Sequence, residues 1–225
     1  VVHAVLIDGK NKKTEMGNMD LEPKWLEWAK RLQAIAQAGL TYTENEYEKE
    51  RYKQVRRISI EILSTYTGLE HIQLRSLFAA ESGYPTPKID VRAAVFRDDR
   101  ILMIREKVDG LWALPGGWAD VDCSLRECVI KEAREEAGAN VVPQRVIAIL
   151  DRKKHNLPPL PYAMYKIFIE CDYVDGDFVS NIETSESGFF TQKALPPLSE
   201  GRNTKSQIEL CFQSRRKSCH QAIFD

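Results

Sequence analysis

Near the middle of the chain, Glu132, Glu135 and Glu136 are separated by three and four positions from the first, a spacing that gathers carboxylates on one face of a helix. At about 100° per residue they fall within an arc of roughly 100°. Val129, Ile130, Ala133 and Ala137 lie beside them, and Glu127, Lys131 and Arg134 lie behind. Three like charges so placed need a cation, and hard carboxylate oxygens suit Mg²⁺, with Mn²⁺ as the alternative. Ser124 followed by Glu127 reads as a capping box, which gives Glu127 a local structural job outside the acidic face. Alone, E-x-x-E-E would read as a solvated charge run with ordinary i,i+4 pairs. The residues on either side of it change that reading.

Leu114-Pro115-Gly116-Gly117 precedes the helix, and Lys131-Glu132-Ala133-Arg134-Glu135-Glu136-Ala137-Gly138-Ala139 closes it. With Gly117 as the first position, this stretch resembles the Nudix box, G-x5-E-x7-R-E-U-x-E-E-x-G-U with U aliphatic, without a gap. Two positions depart from it. Cys123 stands where the box has its first glutamate, and Lys131 where it has arginine. The resemblance implies that those two residues form an ion pair behind the metal ligands, while metal is held by Glu132, Glu135, Glu136 and the Gly116 carbonyl. With both members changed, Lys131 is expected to turn outward or to reach Glu127 four residues back, and Cys123 to be a small buried residue.

The resemblance also implies the reaction: hydrolysis of the pyrophosphate bond of a nucleoside diphosphate linked to another group. Metal-holding carboxylates would neutralise the phosphates and lower the pKa of the attacking water. One of the three glutamates, or Glu186 from the loop Glu183-Thr184-Ser185-Glu186, is the expected base. Arg92, Arg105, Lys154 and His155 are candidate phosphate contacts, and Trp118 beside the glycine turn is a candidate for stacking on a base; each could equally be a surface charge or core residue. W-L-E-W-A-K-R-L-Q-A-I-A-Q-A-G-L-T-Y, K-H-N-L-P-P-L-P-Y and L-P-P-L-S-E-G-R are similar to a bacterial Nudix subgroup with a helical N-terminal domain. Its members act on CDP-choline, UDP-sugars or ADP-ribose and are dimers through that domain. Two other readings stand beside this one: an RNA-end hydrolase or exonuclease, and a nucleotide-sensing module without catalysis. Intact glutamates argue against the second, and a net charge of −1 weighs against the first.

Of the 225 residues, 43% are hydrophobic and 29% charged, the balance of a globular protein with room for one full core and a small second domain. The near-neutral charge argues against a general nucleic-acid or membrane-surface binder. No apolar run approaches the ~20 residues of a membrane span. Five cysteines without a C-x-x-C suggest reduced thiols and a cytoplasmic setting.

These motifs need elements to hold them. Residues 1–20 are expected to be a leader or remnant outside the fold. A helical domain is expected over 21–83: a helix over Leu21–Gly39 stopped by Gly39, one over Glu44–Tyr66 with Tyr52, Val55, Ile58 and Ile62 on its apolar face, and one over Leu69–Ser82. Trp25 and Trp28 read as core or interface. Basic Arg51, Lys53, Arg56 and Arg57 read as a solvated face. Residues 84–87 form a proline-rich linker, and 88–217 the catalytic domain, with strands over Asp90–Arg97, Ile101–Lys107, Arg145–Arg152, Ala163–Tyr173 and Gly188–Thr191. A last helix is capped by Thr204 and Gln207, and 218–225 are a tail. The fold class expected is α+β: a Nudix-type α/β/α sandwich with a mixed sheet, preceded by the small all-helical domain.

Overall fold

The computed structural model describes residues 22–217 and 221–225, without the side chains of 76–78. The expected leader, residues 1–20, lies outside the described residues. Two compact units divide the chain: Val1–Pro87 with Pro158–Ala163, and Lys88–Leu157 with Met164–Asp225. The segment expected as a linker therefore belongs with the helical unit, and so does part of the proline-rich K-H-N-L-P-P-L-P-Y stretch. No described helix is long and apolar enough to cross a membrane.

The first unit contains α1 (Lys24–Tyr42), α2 (Glu46–Thr67) and α3 (His71–Phe78). Asn45 starts α2 by accepting the N–H groups of Tyr47 and Glu48, and Gly68, at φ 69°, ends it in the left-handed region. Gly39 does not stop α1, which runs on to Tyr42. A Cβ there would lie 2.3 Å from the Tyr52 ring, so this glycine lets two helices approach instead of capping one. Leu26, Ala29, Ile60, Leu63, Leu74 and Ala79 form the core, and Trp25 stacks on Tyr66 at 4.9 Å. The face expected for α2 is corrected: it buries Ser59, Ile60 and Leu63, whereas Ile58 is exposed.

The second unit is built from β1 (Lys88–Arg97), β2 (Arg100–Glu106), β3 (Trp112–Ala113), α4 (Leu125–Ala137), β4 (Asn140–Asp151), α5 (Arg152–His155), β5 (Met164–Asp175), β6 (Thr184–Phe190), α6 (Lys205–Arg216) and β7 (Ile223–Phe224). Strand order is β3-β2-β1-β5-β4-β7, with β6 also on β2. β1 and β5 pair in parallel, while β1–β2 and β4–β5 are antiparallel. Val129, Ala133 and Ala137 of α4 pack in the core of one face; Ile208, Cys211 and Phe212 of α6 pack in that of the other. This is the expected α/β/α sandwich with a mixed sheet. The ends of some elements differ from those expected. β6 starts at Thr184, so the segment read as a loop is largely strand. Within the stretch read as a tail, Ile223 and Phe224 pair with Ala148 and Ile149 of β4.

Inside this sheet sit three charges. Arg92 donates two hydrogen bonds to Asp90, at 2.8 and 2.7 Å, and Lys166 a third at 3.0 Å, all three residues being buried. Burial alone would raise the Asp90 carboxyl, but the two cations hold it well below the usual carboxylate range. Burial also pulls Lys166 down to about 7, with Asp90 opposing. A lysine can shed its proton when left alone; a guanidinium cannot. Asp90→Ala should therefore lower unfolding stability in urea by about 3–5 kcal/mol, because Arg92 is left buried and unpaired. A loss below about 1 kcal/mol would contradict this account of the clamp.

Candidate active site

The site begins with a backbone contact. Residues 115–119 run against β1: Val91 donates to the Gly117 carbonyl at 2.8 Å, Ala93 to the Pro115 carbonyl at 2.8 Å, and Ala119 to the Ile89 carbonyl at 3.0 Å. Gly116 has φ 146°, and a Cβ on it would lie 2.0 Å from the Val91 carbonyl oxygen, so no side chain fits. Its N–H donates to Glu136 Oε2 at 2.7 Å. A Cβ on Gly117 would lie 3.2 Å from Glu132 Oε1. The turn thus touches two of the three glutamates, both from α4. Ser124 and Glu127 start that helix with the expected reciprocal capping box, and Gly138 ends it.

The carboxylates are electrostatically crowded. Burial, with the Glu132 and Glu106 charges adding to it, pushes the Glu136 carboxyl up to about 8, against the Arg92 cation and the Gly116 amide. Burial also raises Glu132, with Glu135 and Glu183 adding and Arg92 and Lys131 opposing. Glu135 is exposed and lies 3.8 Å from Lys131 Nζ. Among the described residues, no three acidic, histidine or cysteine side chains are gathered closely enough to hold a metal ion as they stand. Glu136 rests on an amide and Glu135 beside an ammonium, the arrangement like charges adopt when each finds its own partner. The donor set nevertheless fits a hard divalent cation: carboxylate oxygens on one helix face, two of them at the glycine turn and short of compensating charge.

Lys131 turns outward, one of its two expected outcomes, whereas Cys123 departs from the expectation of a buried residue. Lys131 reaches Asp120 at 2.5 Å, and not Glu127, whose carboxylate is committed to Ser124. Cys123 is exposed; the buried thiol of this helix is Cys128. Slight desolvation, together with Cys128, Asp120 and Glu127, holds the Cys123 thiol above its ordinary range, the opposite of an activated nucleophile.

Other expected site residues scatter. Arg92 is buried, with Nη1 on the Leu114 carbonyl at 3.2 Å in addition to Asp90, so it braces the glycine turn from behind and is no open phosphate contact. Glu186 pairs with Arg105 at 2.7 Å, and Arg105 also donates to the Gly110 carbonyl. The acid whose charge reaches Glu132 is Glu183. Trp118 is 42% exposed next to the turn, bridged to Asp90 through the backbone. His155 lies 3.1 Å from Asp225, and Lys154 adds its charge to that carboxylate. These two residues thus gather at Asp225 and not at the glutamates. Sequence reasoning missed Asp120, Glu183, Glu106 and Asp90. Only Asp90 carried a signal: an acid two residues before an arginine in an apolar strand places both on one face. Glu106 is buried against Arg202 at 2.9 Å, which explains the arginine of L-P-P-L-S-E-G-R.

Comparison with known proteins finds relatives that span both units. Residues 23–78 match a family model described as a UDP-X-like, N-terminal oligomerisation domain, and residues 86–208 match the NUDIX domain. The chain is 46% identical over 205 residues to a Bacillus subtilis (strain 168) protein, YjhB, named provisionally as an ADP-ribose pyrophosphatase; the match spans 91% of this chain and 99% of that one. A crystal structure of an ADP-ribose pyrophosphatase from Streptococcus suis 89-1591 is 49% identical, covering 62% of this chain and all of that one, with a TM-score of 0.58. A crystal structure of a UDP-X diphosphatase is 33% identical, covering 91% of this chain and all of that one, also at 0.58.

An exposed thiol among acids has no part in bond breaking. Cys123→Ala is expected to keep kcat/KM within about tenfold, below ~1.4 kcal/mol of transition-state stabilisation. A loss on the order of 10³-fold in a folded variant would place the thiol in the chemistry.

Proposed function

The chain belongs to the Nudix hydrolase family and is a hydrolase of phosphoric anhydride bonds, and we propose that its reaction is Mg²⁺-dependent hydrolysis of a nucleoside diphosphate linked to a second group. Water adds across the P–O–P bridge, releasing a nucleoside monophosphate and the phosphorylated second group. ADP-ribose and UDP-linked sugars are the leading substrates, supported by the names of the relatives above; CDP-choline belongs to the same chemical class. The observation that carries the reading is the convergence of Glu132 and Glu136 on the Gly116–Gly117 turn.

Glu132, Glu135, Glu136 and the Gly116 carbonyl would hold the cation. When bound, it offsets the pyrophosphate charge and acidifies the attacking water. The chain's own residues prepare for this. Arg92, fixed by Asp90 and Lys166, braces the turn and keeps a positive charge behind two desolvated carboxylates. Glu183, within electrostatic reach of Glu132, is assigned the water-orienting role for which one of the three glutamates or Glu186 is expected, the Glu186 carboxylate being committed to Arg105. Lys131 neutralises Glu135 from its solvent side through the ammonium it shares with Asp120.

The helical unit is assigned to homodimer formation. Trp28 and Ile35 of α1 are 55% and 54% exposed, and Ile58 of α2 is 49% exposed. Apolar side chains left open by a small core are suited to a second copy.

Two measurements check these assignments. Glu135→Gln should lower kcat toward ADP-ribose by on the order of 10²-fold or more while circular dichroism stays unchanged; full activity in EDTA, or in this variant, would end the metal-dependent reading. Light scattering should give a dimer for the full chain and a monomer for Ile58→Glu, since the added charge is tolerated in water and not in an apolar interface. A monomeric parent chain would sink the assignment.

A further inference from the structure

On the helical unit, a groove of about 750 Å³ runs between α2 and α3 and is closed by Leu40 of α1. Its size lies within the range of small-molecule sites. Two surface cations of α2 have local acid partners: Lys49 pairs with Glu46, and Arg57 with Glu50 at 2.5 Å. Two arginines in this groove differ. Arg56 and Arg75 have no carboxylate partner among the described residues, and Arg56 Nε is buried without a hydrogen-bond acceptor. Burial and the nearby Arg75 guanidinium pull Arg56 below the usual guanidinium range, so the two cations lie close enough to repel. Lys53 and His71 also line the groove, and Glu61 is its one acid. In a chain of net charge −1, this is a local positive excess over an apolar floor of Leu40 and Ile60, with exposed Ile72 at the rim.

Two guanidinium forks offer more donors than one carboxylate can accept, whereas a phosphate has oxygens for both. We propose that this groove is a second anion site, separate from the glutamate cluster, that takes a small organic phosphate. Its phosphate is held between Arg56 and Arg75 and its body lies on Leu40 and Ile60, with Ile72 at the rim. A nucleoside monophosphate has both parts. The apolar floor, with no phenylalanine, tyrosine or tryptophan among the groove's described lining residues, favours such a molecule over a nucleic-acid strand, which needs a basic track with stacking aromatics. No residue of the site overlaps the hydrolytic machinery, so the inference stands apart from the reaction assigned above.

The test is equilibrium dialysis of the full chain in EDTA against AMP, inorganic phosphate and adenosine. AMP is expected to bind at least about tenfold more tightly than phosphate, and adenosine to bind no better than phosphate, because charge and apolar contact are both required. Arg75→Gln and Arg56→Gln should each weaken AMP binding by about tenfold or more while leaving metal-supported hydrolysis unchanged. Glu135→Gln should leave AMP binding unchanged, which separates this groove from the glutamate site. Arg75 is exposed, so its variant carries the test if Arg56→Gln fails to fold. AMP binding that survives Arg75→Gln would overturn the proposal. So would single-stranded RNA binding with an affinity that grows with length and exceeds that of AMP. Failure to bind AMP, with a change of oligomeric state in Arg75→Gln, would assign the groove to acids of a second copy and overturn it as well.

Discussion

At Gly116 there is no space for a single carbon atom, and the catalytic unit is arranged around that contact. The Val91 carbonyl fills the place a side chain would take, which locks residues 115–119 onto the edge of β1 by three backbone hydrogen bonds. The same strand pairs along most of its length with β5, so the turn inherits the rigidity of the sheet. Once fixed, the Gly116 amide can hold Glu136, and α4 is committed to presenting its acidic face at the turn. Negative charge gathered in a buried place requires compensation. Arg92 supplies it from behind, Asp90 keeps Arg92 in position, and Lys166 keeps Asp90 ionised. The result is a set of carboxylates held short of full neutralisation, a state that favours binding a divalent cation.

The sequence made the helix legible in detail because its signals are local. Ser124 and Glu127, the glutamate spacing and Gly138 act within a few residues of each other, and the structure has each where its pattern put it. The sandwich followed from one long amphipathic helix set among strands. What escaped was set by tertiary partners. Lys131 could reach either Glu127 or Asp120, and only the path of the loop before the helix decides that it reaches Asp120. Glu183 and Glu186 are equivalent in sequence; pairing of β6 with β2 sets Glu186 opposite Arg105 and leaves Glu183 to act on Glu132. Arg92 resembles any exposed strand arginine until the buried Asp90 and Lys166 are seen around it. Gly39 reads as a stop signal by composition, yet its role depends on where Tyr52 falls on the neighbouring helix.

The helical unit shows how a small core leaves its surfaces with separate jobs. Three helices bury Ser59, Ile60 and Leu63 of α2, with Ile62 packed against that core, and leave Trp28, Ile35 and Ile58 to be covered by something else. On the side lined by α3, cations replace apolar residues, and Arg56 and Arg75 lack the acid partners that Arg57 and Lys49 have. Exposed apolar side chains and a cationic groove ask for different occupants. Neither was visible as such in the sequence, where the same residues read as a core face and a solvated face.

The central claim is that Glu136 and its neighbours form a cation site held in place by the glycine turn. Mn²⁺ binding followed by electron paramagnetic resonance on the substrate-free chain tests it most directly. The account predicts saturable binding that Glu136→Gln weakens by about tenfold or more without unfolding the protein. Unchanged Mn²⁺ affinity in that folded variant would contradict it.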